Sequence, residues 1–194
     1  MNQTTKLLMA AGLLLTATTT AAHTGHGAHA ESGFLSGLLH PMLGLDHLLA
    51  MAAIGFWSVR QGNTMKKITP LFAIGGMILG AGIAWGGMSL PGVETGISLS
   101  VILGGILIAA MVKLPTAVGG LLVAAFMVFH GFAHGVEMPA GATLVAYLTG
   151  FSIATLALTY AGRGLGNLMR KTDNRAARIL GGVVAATGAL LAAA

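Results

Sequence analysis

The sequence predicts an all-α polytopic membrane protein with six transmembrane helices after a cleaved signal peptide, and three observations carry that class. Of 194 residues, 55% are hydrophobic and only 8% charged, with a mean hydropathy of +0.85. That is far from the half-apolar, quarter-charged mix of a soluble domain. Apolar runs recur at the roughly 20-residue length that crosses a hydrocarbon core of about 30 Å. Finally, basic residues alternate loop by loop, as they do where cytoplasmic loops retain Lys and Arg.

The first element is the signal. Lys6 precedes Leu7, Leu8, Met9 and Leu13 to Leu15, and a small polar run ends at Thr20, Ala21 and Ala22. This order of charge, apolar stretch and small residues reads as residues 1–22 removed before His23. Residues 23–33 follow as an outer tail whose His23, His26 and His29 can collect metal ions; a plain flexible linker is the equally simple reading.

Six spans are expected over residues 34–194, at Phe34 to Val59, Thr69 to Met88, Gly96 to Val112, Pro115 to His134, Gly141 to Ala161 and Arg178 to Ala194. Arg60, Lys66 and Lys67 lie in one loop, Lys113 in the next basic one, and Arg163, Arg170, Lys171, Arg175 and Arg178 in the last. The intervening loops carry none. The alternation sets both mature termini on the outer face of the cytoplasmic membrane and the basic loops inside. A charge of +5 could suit an acidic partner such as nucleic acid, but its confinement to alternate loops explains it without one. Trp57 and Tyr160 are expected near inner helix ends and Trp85 near an outer one, as interfacial anchors or as core residues. Gly76 and Gly80, then Gly82 and Gly86, repeat at four-residue spacing, a packing surface for helices in lipid. Ile102-Leu103-Gly104-Gly105 is echoed by Ile179-Leu180-Gly181-Gly182, and the same offset lays the first span over the fourth. Three helices per half would make a 3+3 inverted repeat, an arrangement that places transport sites at the repeat interface.

Nearly all ionisable residues inside these spans fall in two clusters, and in lipid such groups mark function by default. In the first span, His40 and His47 stand almost two helical turns apart on one face, with Asp46 beside them and Pro41 freeing backbone. In the fourth, His130 and His134 are one turn apart and Glu137 continues toward the loop. Helical rise sets His40 roughly 9 Å and His47 about 20 Å below the outer surface, and His130 about 22 Å above the inner one. His40 and His130 are therefore expected at similar depth, His134 and Glu137 at an outer mouth, and Asp46 with His47 near the midplane. Cysteine is absent, so a metal must be held by imidazole, carboxylate, thioether or backbone oxygen. Imidazole suits nickel, cobalt, copper and zinc alike. Met42, Met51, Met127 and Met138 would suit Cu(I) or serve as apolar filler.

These two clusters resemble the signatures of the HupE/UreJ family of nickel and cobalt transporters. There the first helix carries His, five residues, then Asp-His, as at His40, Asp46 and His47. The fourth carries Phe-His-Gly-x-Ala/Val-His-Gly-x-Glu, as from Phe129 to Glu137. The resemblance covers the whole chain. It implies that His40, Asp46, His47, His130, His134 and Glu137 handle the metal, and that Ni2+ or Co2+ is cargo for metalloenzymes, with no permanent cofactor.

No Gly-x-x-x-x-Gly-Lys-Ser/Thr loop is present, so neither an intrinsic nucleotide site nor an ATPase subunit is evident and the ion is expected to move on its gradient or the membrane potential. A non-enzyme is expected. Two rivals stay open: an intramembrane zinc hydrolase, disfavoured by the lack of His-Glu-x-x-His, and a metal-binding assembly factor without flux.

Overall fold

A computed structural model describes residues 33–171 and 174–194. The expected signal peptide and the tail histidines His23 and His26 lie outside those residues. Among the described residues there are seven helices and no strand: α1 Gly33–Leu43, α2 Leu45–Ser58, α3 Asn63–Trp85, α4 Val93–Ala109, α5 Thr116–Val136, α6 Leu144–Arg170 and α7 Asn174–Ala193. Each expected span meets a helix or helix pair. Four of them, α3, α5, α6 and α7, are long and apolar enough to cross a membrane alone.

The first span departs from expectation. It is not one helix but two, bent by 78° where α1 gives way to α2. Pro41 lies inside α1, and three residues later Gly44 takes an extended conformation (φ −78°, ψ 115°) that ends one helix and caps the next. With the pyrrolidine removing a donor and glycine losing the most entropy in a helix, this stretch is a weak point. Neither piece could cross a core of about 30 Å, since 11 and 14 residues rise only about 16 and 21 Å.

Close helix contacts assemble the bundle. A methyl at Gly80 would strike the Val128 carbonyl and one at Gly131 the Met77 carbonyl, so α3 and α5 touch backbone to backbone. Gly55 and Gly162 do the same for α2 and α6, and Gly105 and Gly181 for α4 and α7. In a bilayer, where burial of apolar surface gives no drive, such contact supplies the dispersion that holds helices together. The expected packing role of Gly76 and Gly80 thus holds, whereas Gly82 faces open space. Trp57 is only 3% exposed and takes the core position of its two open readings, its indole N–H donating to the Val112 carbonyl.

Basic residues gather at one end of the bundle. Arg60 donates to Asn174 Oδ1, Arg163 to the Lys66 carbonyl in the first turn of α3 and Arg170 to the Val59 carbonyl, so the α2–α3 loop and the start of α3 are tied to the last turns of α6 and the start of α7. At the opposite end Trp85 donates to the Gly135 carbonyl, joining the ends of α3 and α5.

Candidate metal centre

The break at Gly44 and the last two turns of α5 build one cluster of imidazoles. His134 lies 4.9 Å from His40 and 4.6 Å from His47 between ring centroids, and His47 lies 4.5 Å from His130. His40 and His47 are 6.3 Å apart, closer than the roughly 10 Å that seven residues rise on an unbroken helix. The expected shared helix face is therefore corrected: the two converge because α1 folds back on α2. The depth pairing is corrected with it. His40 sits beside His134 and Glu137, and His130 beside His47.

The cluster grades from wet to dry. The side chains of His40 and Glu137 are 39% and 49% exposed, while His47 is 6% exposed and His130 and His134 are fully buried. At the wet end His40 Nε2 and Glu137 Oε2 are 2.6 Å apart. Glu137 lies one residue beyond α5, and the hydrogen bond from His40 holds its carboxyl below the ordinary range despite partial burial. One ligand atom from each of His40, His134 and Glu137 lies within 4.8 Å of the others. Bonds of about 2.1 Å to one ion would bring such atoms to about 3–3.5 Å, a small closure that first requires the His40–Glu137 hydrogen bond to open.

At the dry end, Asp46 Oδ1 accepts from the His47 backbone N–H at 2.6 Å and from His47 Nδ1 at 2.8 Å. A carboxylate only accepts, so Nδ1 carries the proton and Nε2 presents a lone pair. Asp46 thereby orients the ring, the role carboxylates take behind metal-binding histidines. His130 is fixed by a residue that no motif announces. Ser100 Oγ donates to the Ile97 carbonyl at 2.6 Å, which leaves it to accept from His130 Nε2 at 2.8 Å. The Nδ1 lone pair of His130 is then free. A lone serine in an apolar helix usually bonds its own backbone, so nothing in the sequence separates Ser100 from Ser98.

Among the described residues, four buried imidazole nitrogens have no hydrogen-bond partner: His47 Nε2, His130 Nδ1, and both nitrogens of His134. An unmet buried polar atom costs roughly 1–3 kcal/mol, and four in one cluster are uncommon in a packed interior. Phe151 stacks on His134 at 5.3 Å, an apolar wall that holds the ring without satisfying it. Lone pairs on imidazole, with one carboxylate at the mouth and another behind a ring, form a donor set that suits a borderline divalent cation. Asp46 itself stands behind the ring, facing neither His130 nor His134 through any hydrogen bond.

Residues 11–191 match the family model described as HupE / UreJ protein. The chain is 42% identical over 171 residues to Protein HupE of Rhizobium leguminosarum bv. viciae, an alignment covering 88% of this chain and 89% of that one. No solved structure matches it.

Proposed function

The chain belongs to the HupE/UreJ family, and on that footing we propose that it takes up nickel or cobalt ions across the cytoplasmic membrane through the histidine cluster between α1–α2 and α5. The observation that carries the proposal is the set of orphaned imidazole nitrogens in an apolar bundle. A protein that only needed to pack would fill those positions with leucine.

The ion is the cargo. It meets Glu137 and His40 first, where an anionic carboxylate and exposed side chains allow a hydrated cation to approach. Opening the His40–Glu137 hydrogen bond frees the carboxylate oxygen for the ion and lets the neutral His40 ring turn its lone pair toward it. His134 touches both neighbours and passes the ion from the mouth to His47 and His130. Asp46 keeps the His47 lone pair aimed inward, and Ser100 does the same for His130. His23 and His26 are proposed to collect metal ions for uptake. The six spans, the external termini and the inner placement of the basic loops follow the positive-inside pattern, which the shared location of Arg60, Arg163 and Arg170 supports.

Nickel and cobalt uptake should be measured in cells making the wild type, His47→Ala or Asp46→Asn at matched membrane levels. Uptake should fall at least tenfold in His47→Ala and by a smaller factor in Asp46→Asn. Wild-type uptake in both would remove the proposal.

A further inference from the structure

The inner half of the path has a candidate of its own. Beside Ser100 a half-open cavity of about 20 Å³ lies between α2, α4 and α5, lined by Ile54, Trp57, Leu103, Leu107 and Phe126, the last three partly exposed. Ser100 is shared: its hydroxyl holds His130, and its side chain lines this cavity. The Trp57 indole and the Gln61 amide both donate to the Val112 carbonyl, at 2.9 and 3.0 Å. Gln61 Oε1 accepts from the Leu114 backbone N–H at 3.1 Å. Together they clasp the α4–α5 loop, where Met111 takes a left-handed φ of 56°, a conformation that persists only where its surroundings over-determine it.

A second observation says what this end is. The helix contacts repeat under a twofold exchange. One step along the chain carries Ala52, Gly55, Val59, Gly105 and Ala109 to Val128, Gly131, Gly135, Gly181 and Ala185, and a slightly longer one carries Met77, Gly80 and Ala84 to Thr159, Gly162 and Gly166. Gly55 against the Thr159 carbonyl becomes Gly131 against the Met77 carbonyl. Likewise Gly162 against Ala52 becomes Gly80 against Val128, and Gly166 against Val59 becomes Ala84 against Gly135. Gly105 and Gly181 strike each other's carbonyls, and Ala185 and Ala109 complete a self-related pair. This register differs by one residue from the Ile102–Gly105 echo. The same step carries Ile54 to His130, Ser58 to His134 and Gln61 to Glu137.

We propose that the cavity is the inner exit of the ion path and the Trp57–Gln61 clasp its gate, at the end where Ser58 and Gln61 are the twofold counterparts of His134 and Glu137. The proposal rests on the transport reading. The exchange sets an imidazole and a carboxylate at the outer end against a hydroxyl and an amide at the inner end, so the mouth captures the cation and the exit releases it. The cavity is narrow and its walls are apolar, with room for about one water, and hydrophobic constrictions of this kind gate by wetting.

The chain lacks cysteine, so single cysteines can report access. Leu107→Cys, in the cavity wall, is compared with Ile106→Cys, whose position is 45% exposed on the bundle's outer surface. Metal-free inside-out vesicles are treated with a negatively charged, membrane-impermeant methanethiosulfonate. Leu107→Cys should react at least tenfold faster when Gln61→Leu releases the clasp. Trp57→Phe, which removes one donor and keeps the ring, should give a smaller increase. If Leu107→Cys reacts no faster than Ile106→Cys in every background, or reacts only from the outer face, the exit is wrong. Nickel uptake by the wild type is measured in parallel: uptake without labelling removes the exit alone, whereas labelling without uptake removes the transport reading and the exit with it.

Discussion

His134 is the residue on which the cluster turns. It neighbours both His40 and His47, and neither of its nitrogens has a partner. His134→Ala should therefore weaken nickel binding by the detergent-solubilised protein at least a hundredfold in calorimetry, more than His40→Ala at the exposed mouth. Equal losses would mean two independent sites. Asp46 and Ser100 act through the rings they hold, and loss of such a partner costs about 10–100-fold in metal affinity. Asp46→Asn and Ser100→Ala should each fall in that range while leaving the number of bound ions unchanged. At this scale the two motifs made His40, Asp46, His47, His130, His134 and Glu137 legible, because an ionisable group in an apolar helix is too costly to keep unless it binds or moves something. Ser100 was not legible, since its hydroxyl gains meaning only from the imidazole that packing brings to it.

At the scale of the element, the break at Gly44 decides which histidines meet. Pro41 and Gly44 are both visible as helix-weakening residues, yet neither tells whether a span kinks slightly or folds by 78°; tertiary contact settles that. A Cβ at Gly44 would lie 3.0 Å from Asp46 Oδ1 and 3.3 Å from His47 Nδ1, so Gly44→Ala should crowd this pair and lower uptake severalfold with normal membrane levels. Gly131→Val should act differently. Its side chain would drive α5 from the Met77 carbonyl, and the expected result is a large loss of folded protein, read as membrane level and thermal stability in detergent. The helix positions themselves were legible from apolar run length and loop charge. Which helix packs on which was not, because a glycine announces a close approach without naming the partner.

For the whole molecule, the partly exposed His40–Glu137 pair and the buried imidazoles form one cluster that grades from wet to dry, and the Trp57–Gln61 hydrogen bonds lie toward the opposite end of the bundle. On the transport reading the ion binds through imidazole lone pairs, which protonation removes. Nickel uptake should therefore be near its maximum at neutral pH and fall as the outer medium is made acid, with Glu137 resisting protonation because the hydrogen bond from His40 lowers its pKa. Uptake that rises in acid would point instead to proton-driven import. The central claim, that buried histidines carry a divalent metal across the bilayer, is tested most directly by nickel and cobalt entry into liposomes holding the purified protein. The wild type should fill them with metal at a rate at least tenfold above protein-free liposomes, and His134→Ala should not exceed that background. Metal bound by the wild type without entry into the lumen, or full entry through His134→Ala, would contradict it.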